Sequence, residues 1–180
     1  MDLPKRKPLR LPDYDYSAPG ACFVTICTHD RRCILSDITV GALHEAPAEV
    51  RLTEAGRCVQ NVLEILPMRY PNLAVDKYVI MPNHVHILLQ ITKERAIRES
   101  PLQLQENAPP RKQVRSLLDM AIGFLKMNSS KQIHIHRPDL TVWQRSYHDH
   151  VIRNENDYRK IWNYIDTNPA RWRDDCFYTE

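Results

Sequence analysis

The apolar positions of the chain alternate in some segments and recur every three to four residues in others. In one stretch Val59, Val62, Leu63 and Leu66 recur with the spacing of an amphipathic helix. Other segments are apolar and rich in β-branched residues, which is typical of strands. Strands are predicted at residues 21–28, 73–81 and from 84 onward, with shorter ones near 33–35, at 49–53 and within 142–153; helices are predicted at residues 54–68, 114–127 and 155–167.

Capping residues support the first and last of these helices. Thr53 and Asn154 stand directly before them, and both residue types accept hydrogen bonds from helix N–H groups. Asp157 completes an Asn/Asp variant of the capping box, and Pro169 ends the last helix. The order of strands and helices predicts an α+β domain in which an antiparallel sheet carries helices on one face.

The predicted domain organisation rests on the length of the chain and on the segments that lack hydrophobic periodicity. A chain of 180 residues suits one domain with a sizeable core. Residues 1–20 are expected to form an extended basic arm, and residues 21–168 the main folded domain. A charged, proline-containing surface insertion is expected at about 92–112, and residues 169–180 form a C-terminal tail.

Composition narrows the class of protein. The five cysteines form no CxxC pair, which favours reduced thiols and a cytoplasmic location. No apolar run is long enough to span a bilayer. The four glycines are widely separated, so no phosphate-cradling loop is present and no nucleotide cofactor is expected. The net charge of +3 is mild, but basic residues cluster in the arm and around residue 111.

The sequence KYVIMPNHVHILLQI raises the question of chemistry, because it places two histidines in an apolar strand. Side chains alternate between the two faces of a strand, so Val85 and Ile87 face the core while His84 and His86 point the other way. Two neutral imidazoles at this spacing can share one cation. The spacing alone is weak evidence, since the chain contains three His-x-His pairs and buried or solvated histidines are the simpler explanation.

The last helix offers possible partners for the histidine pair. Tyr164 lies at the edge of the apolar stripe formed by Tyr158, Ile161, Trp162 and Ile165, and Asn168 follows one turn later. Plain packing would also explain a tyrosine in this position. Asn168 could simply cap the helix, and its place before proline disfavours helical geometry.

Three motifs in order carry a family resemblance: YVIMPNHVHILL, WQRSYHDHVIRNENDY and YIDTNPARW. Together with LRLPDYDYSAPGACFVTICTHDR they resemble the single-tyrosine HUH transposases, specifically the REP-associated tyrosine transposase branch, over most of the chain. The resemblance implies a ferredoxin-like HUH domain and metal-dependent endonuclease and strand-transferase activity on single-stranded DNA. The implied intermediate is a 5′-phosphotyrosine.

The resemblance also implies roles for individual residues. Tyr164 would be the nucleophile, with His84, His86 and Asn168 as ligands of Mg²⁺ or Mn²⁺. Imidazole ligands suit Mn²⁺ better than Mg²⁺. His150 and Asp149 lie in a family-like segment, where His150 could be a ligand, a phosphate contact or structural. Basic residues are candidates for contacts with a DNA hairpin and the single strand beside it: Lys5, Arg6, Lys7, Arg111, Lys112, Arg145, Arg153 and Arg159.

Two other functions fit the same residues. The domain could bind a DNA hairpin without cleaving it, or it could be a metal-dependent phosphodiester hydrolase in which water attacks and Tyr164 belongs to the core. Relatives of the resembled family include dimers and monomers, so either oligomeric state is expected.

Overall fold

The computed structural model describes residues 14–39, 48–92 and 115–179. The strands are β1 (Gly20–Cys27), β2 (Ser36–Thr39), β3 (Glu49–Leu52), β4 (Leu73–Ile80), β5 (His84–Ile91) and β6 (His148–Ile152). The helices are α1 (Glu54–Arg69), α2 (Leu117–His134) and α3 (Glu155–Thr167). A 3₁₀ segment, Pro169–Asp174, follows α3.

Four strands form the main sheet in the order β4-β5-β1-β6, and every neighbouring pair is antiparallel. β2 and β3 form a separate two-stranded sheet. One face of the main sheet, with Val24, Val85 and Ile87, packs against α1 and α2 in the larger apolar cluster. This confirms the predicted α+β class with an antiparallel sheet and with helices, α1 and α2, packed together on one face.

α3 lies over the other face of the sheet. Leu88 of β5 and Ala21 of β1 belong to a second, smaller apolar cluster that contains Ile165 of α3. Because alternate strand residues point to opposite faces, these residues and those of the larger cluster are on opposite sides of the sheet. His84 and His86 have even positions on β5 and therefore lie on the α3 side.

Hydrogen bonds at the helix starts confirm the predicted caps. The Thr53 side chain accepts from the backbone N–H of Gly56, and the Asn154 side chain accepts from that of Asp157. A Cβ atom at Gly56 would lie 2.0 Å from the carbonyl oxygen of Leu35. Only glycine therefore fits at this point of α1 without a backbone shift.

Two predicted elements are displaced in the structure. The short strand expected near residues 33–35 is found at Ser36–Thr39, because the backbone N–H groups of Ile34 and Leu35 donate instead to the Pro82 carbonyl. α2 extends to His134 rather than ending near residue 127, since its polar side chains bond within the helix: the Ser129 hydroxyl donates to the Leu125 carbonyl.

Candidate active site

His84 and His86 are fully enclosed, at 0% and 1% exposure. Both histidines lie on the face away from the main core, as predicted. That face is not open to solvent at this point, because other segments of the chain cover the two side chains. The ring of Phe177 lies with its centroid 4.6 Å from that of His84, and the ring of Tyr164 lies 5.2 Å from that of His86. The pair therefore sits beneath α3 and the chain that follows it.

The proton on His84 can be located from its neighbour. The Asn83 amide nitrogen donates to the carbonyl oxygens of Arg31, at 3.2 Å, and Phe177, at 2.7 Å. This fixes the orientation of the amide, so Asn83 Oδ1 must accept from His84 Nδ1–H at 2.9 Å. His84 Nε2 is then left with its lone pair, the form in which imidazole binds a metal.

His86 has a more adaptable partner. Its Nδ1 lies 2.8 Å from Thr25 Oγ1, a hydroxyl that can donate or accept. Its Nε2 lies 3.0 Å from His84 Nε2, where one nitrogen must carry the hydrogen. Because His84 Nε2 is the acceptor, His86 Nε2 donates and Thr25 donates to Nδ1. Rotation of the Thr25 hydroxyl would equally satisfy the other tautomer, with Nε2 free to bind a metal.

Burial keeps both imidazoles neutral. It lowers the pKa of His84 to about 3, with a smaller effect from the positive charge of Arg31. Burial also lowers the pKa of His86 to about 3, a charge on His84 would lower it further, and the Asp175 carboxylate opposes the shift. At pH 7 both rings are therefore neutral, which is the form of imidazole that binds a metal ion.

Tyr164 reaches the pair from α3. Its hydroxyl lies 3.2 Å from His86 Nε2, and the residue is 40% exposed. Burial raises the pKa of Tyr164 to about 12, and the neighbouring Asp175 carboxylate adds to the rise. The phenol is therefore protonated at pH 7, next to the histidines on one side and open to solvent on the other.

Asn168 lies one turn beyond Tyr164 and is 3% exposed. Its backbone is helical (φ −57°, ψ −42°), contrary to the effect expected of the following proline. Pro169 begins the 3₁₀ segment, where its missing N–H costs no hydrogen bond. The amide nitrogen donates to Asp175 Oδ2 at 2.7 Å, while Oδ1 is one of two buried side-chain oxygen or nitrogen atoms in the described ranges without a hydrogen-bond partner.

Asp175 is the site residue that the sequence analysis missed. Its Oδ2 lies 3.9 Å from His84 Nε2, and its side chain is 1% exposed. His84, His86 and Asp175 offer ligand atoms that all lie within 4.8 Å of one another. The chemistry of the predicted ligands pointed to such a residue. Two imidazoles and an amide give a divalent cation no anionic ligand, and an acidic residue stands seven positions after Asn168.

The donor set fits a divalent metal ion. Two neutral imidazole nitrogens and a buried carboxylate oxygen lie within 4.8 Å of one another. Asn168 donates to that carboxylate, and its own Oδ1 has no hydrogen-bond partner among the described residues. A buried amide oxygen without a partner calls for an explanation, and a bound ion is a common one. Mixed nitrogen and oxygen ligands of this kind suit Mn²⁺ and related ions.

Comparison with known proteins places the chain among relatives. No protein-family model matches it. An uncharacterized protein of Haemophilus influenzae is 30% identical over 176 residues, which make up 97% of this chain and 94% of the relative. The chain belongs to the family of that protein.

The fold of this chain also resembles that of a solved REP-associated tyrosine transposase bound to a REP hairpin. The two structures align with a TM-score of 0.57 at 18% identity, over 90% of this chain and 73% of the other. At this identity the likeness establishes the fold. It agrees with the HUH-type α+β architecture expected from the motifs.

Three of the basic residues that are candidates for DNA contacts lie in the described part of the chain. In this family member Arg145 follows α2, Arg153 follows β6, and Arg159 pairs with Glu155 on the exposed side of α3 at 3.0 Å. All three basic residues are exposed. The other candidates lie outside the described residues: Lys5, Arg6, Lys7, Arg111 and Lys112.

Two other histidines of the described residues, His150 and His134, have partners outside the candidate site. His150 Nε2 lies 2.9 Å from Asp157 Oδ2, which ties β6 to the first turn of α3. Among the hydrogen bonds of the described residues, Asn154 accepts from the Asp157 N–H, and no return bond runs from the Asn154 N–H to the Asp157 carboxylate. Asp149 Oδ1 is buried without a partner among the described residues, and the nearby Asp149 charge contributes to the raised pKa of Cys22. His134 Nε2 donates to the Leu140 carbonyl at 2.8 Å, a structural role.

Proposed function

We propose that the protein is an HUH-type tyrosine transposase: a metal-dependent endonuclease and strand-transferase acting on single-stranded DNA. One observation carries the proposal. The Tyr164 hydroxyl, half-open to solvent, stands 3.2 Å from a buried histidine, and that histidine belongs to a group of three residues able to hold a metal ion. A nucleophile beside such a cluster suits attack on a phosphodiester.

The proposed step is a transesterification. A bond forms between the Tyr164 phenolic oxygen and the phosphorus as the bond from phosphorus to the 3′ oxygen breaks. The phenol loses its proton, the 3′ oxygen gains one, and the product is a 5′-phosphotyrosine. Attack by a 3′-hydroxyl on that link reverses the reaction and rejoins DNA. Neither water nor a nucleotide is consumed.

His84, His86, Asp175 and Asn168 would hold the metal ion. When bound, the ion would supply positive charge to the phosphate oxygens and to the 3′ leaving oxygen. The protein's own residues orient the ligands: Asn83 keeps the proton of His84 on Nδ1, and Thr25 accommodates either tautomer of His86. Phe177 excludes water from the His84 side.

The proposed DNA substrate is a hairpin of a repeated sequence with its flanking single strand. The support is the shared fold with a transposase that was solved bound to such a hairpin. Exposed Arg145, Arg153 and Arg159 would contact phosphates, as would basic residues of the arm and the insertion. We propose that the protein acts as a monomer or a homodimer.

The test is a covalent-adduct assay. Labelled single-stranded hairpin DNA is incubated with the protein and Mn²⁺ and resolved on a denaturing gel. We expect an adduct that Tyr164→Phe abolishes and that His84→Ala, His86→Ala or Asp175→Asn reduces at least tenfold. Tyr70→Phe is the matched control, because the Tyr70 hydroxyl donates to the Met120 carbonyl at 3.2 Å on the other side of the sheet.

The other possible functions predict different results. Cleavage without an adduct would favour the phosphodiester hydrolase. Binding without cleavage would favour a non-catalytic hairpin-binding module. An adduct that survives Tyr164→Phe would exclude Tyr164 as the nucleophile.

A further inference from the structure

α3 carries Tyr164 but has little apolar anchorage. Among its residues, all of them described, Ile165 alone is buried. α1 and α2 each bury six residues. Tyr158 and Ile161 pack against the same cluster but are only partly buried, so apolar burial constrains the rotation of α3 about its own axis less than that of α1 or α2.

The edge strand β4 contains an irregularity opposite α3. The pairing of β4 with β5 shifts by one residue between Val75 and Lys77, so Asp76 has no partner in the register. Val75 packs in the cluster beneath α1 and α2. The inserted residue changes the alternation, and the neighbours Asp76 and Lys77 both reach the α3 side.

Each member of this pair contacts a different turn of α3. Asp76 Oδ2 accepts from the Tyr158 hydroxyl at 2.9 Å. Lys77 Nζ lies 2.6 Å from Asp166 Oδ1 and 4.4 Å from the centre of the Trp162 ring. Burial and the hydrogen bond to Asp76 raise the pKa of Tyr158 to about 12, so it remains a donor.

The contacted residues form one stripe. Tyr158, Trp162 and Asp166 are spaced by four residues and lie along one flank of α3. Tyr164 and Asn168 lie along the opposite flank, and Ile165 lies between them. Contacts on the first flank therefore set the rotation that places Tyr164 over His86.

We propose that Asp76 and Lys77 are positioning residues that fix the rotation of α3 and thereby the distance between the Tyr164 hydroxyl and His86. The expected effect on catalysis rests on the proposed function, whereas the expected effect on the rotation of α3 does not. The Lys77–Asp166 ion pair is partly exposed and adds little to the free energy of folding, so its effect is geometric.

The expected effect of a rotation of α3 on the reaction rate follows from helix geometry. Since a helix has a radius of about 2.3 Å, the Tyr164 hydroxyl lies on the order of 9 Å from the helix axis, and a rotation of about 10° moves it by roughly 1.5 Å. A misplacement of about 1 Å in a reacting group can slow a reaction on the order of 100-fold.

Two measurements on the full chain test the proposal. In hydrogen exchange, Asp76→Ala and Lys77→Met should speed exchange of the α3 amides while leaving those of α1 unchanged. In single-turnover assays at saturating hairpin DNA, the rate of adduct formation should fall about tenfold or more, with the Kd for DNA within about twofold. Asp76→Asn, which keeps an acceptor for Tyr158, should retain most of the rate.

Lys160→Met is the matched control for Lys77→Met, since it removes the same charge from the exposed side of α3. Unchanged exchange in α3 with Asp76→Ala and Lys77→Met would overturn the proposal. So would faster exchange throughout the protein, which would indicate a general loss of stability, or faster exchange with an unaltered adduct rate. If the wild-type protein forms no adduct, the proposed function fails, and exchange in α3 alone decides whether the pair holds the helix.

Discussion

The two faces of the main sheet are built differently. Beneath α1 and α2 the sheet carries a continuous apolar cluster to which all four strands contribute. Beneath α3 the smaller cluster has four buried members among the described residues, and beside it lie two buried histidines with their polar partners. The same strand, β5, supplies both environments through its alternate residues.

This difference suggests that the α1–α2 face mainly stabilises the fold, while the α3 face mainly positions the side chains of the candidate site. Apolar burial is the main source of folding free energy, and most of it lies on the α1–α2 face. The other face uses hydrogen bonds and ion pairs, which contribute less to stability but define distances closely. Changes on the first face should therefore affect folding, and changes on the second should affect metal binding and catalysis.

The largest effect on folding is expected from a cavity on the α1–α2 face. Leu63 is 1% exposed within the larger cluster. Leu63→Ala should lower the free energy of unfolding by about 2–5 kcal/mol, as measured by urea denaturation. The molecules that remain folded should form adduct at the wild-type rate; a large fall in that rate would show that the two faces are coupled.

A smaller effect, on metal affinity, is expected from Asn83. Asn83→Ala removes the acceptor that holds the His84 proton on Nδ1, so affinity for Mn²⁺ should fall about 10–100-fold. Titration calorimetry measures the change, with circular dichroism to confirm folding. Asn128→Ala is the control, because Asn128 bonds only to Phe124 among the hydrogen bonds described for α2. An unchanged affinity would contradict the orienting role.

The smallest effect on folding is expected at Tyr164, the proposed nucleophile. Tyr164→Phe removes a half-exposed hydroxyl, and His86 Nε2 keeps its bond to His84. The free energy of unfolding should change by about 0.5 kcal/mol or less, even though the adduct is lost. A loss comparable to that of Leu63→Ala would place Tyr164 in the structural core and would favour the hydrolase over the transposase.

Local patterns predicted much of the fold. Thr53 and Asn154 begin their helices as expected, and the spacing of Ile161 and Ile165 located α3. These features depend on residues close together in the chain. The end of α2 was predicted too early because Ser129 favours loops when considered alone. In the fold its hydroxyl accepts from Trp143 Nε1 at 3.0 Å, a contact that no local pattern contains.

The candidate site could be predicted only in part. His84, His86 and Tyr164 came from motifs, and the structure brings their side chains together. Asp175 was missed because the segment after α3 has no periodic pattern, and its approach to His84 depends on tertiary packing. The enclosure of the histidines was missed for the same reason, since Phe177 belongs to that segment.

The adjacency of Asn83 and His84 has a consequence for motion in the site. The orienting amide and the ligand are successive residues of one chain, so any movement of β5 carries both together and preserves their hydrogen bond. Asp175 belongs to a different segment, but the same Asn83 amide donates to the Phe177 carbonyl two residues further on, at 2.7 Å. One side chain, Asn83, therefore holds the proton of His84 and links the β5 half of the candidate site to the segment that carries the Asp175 carboxylate, so that the two halves move together when the protein fluctuates.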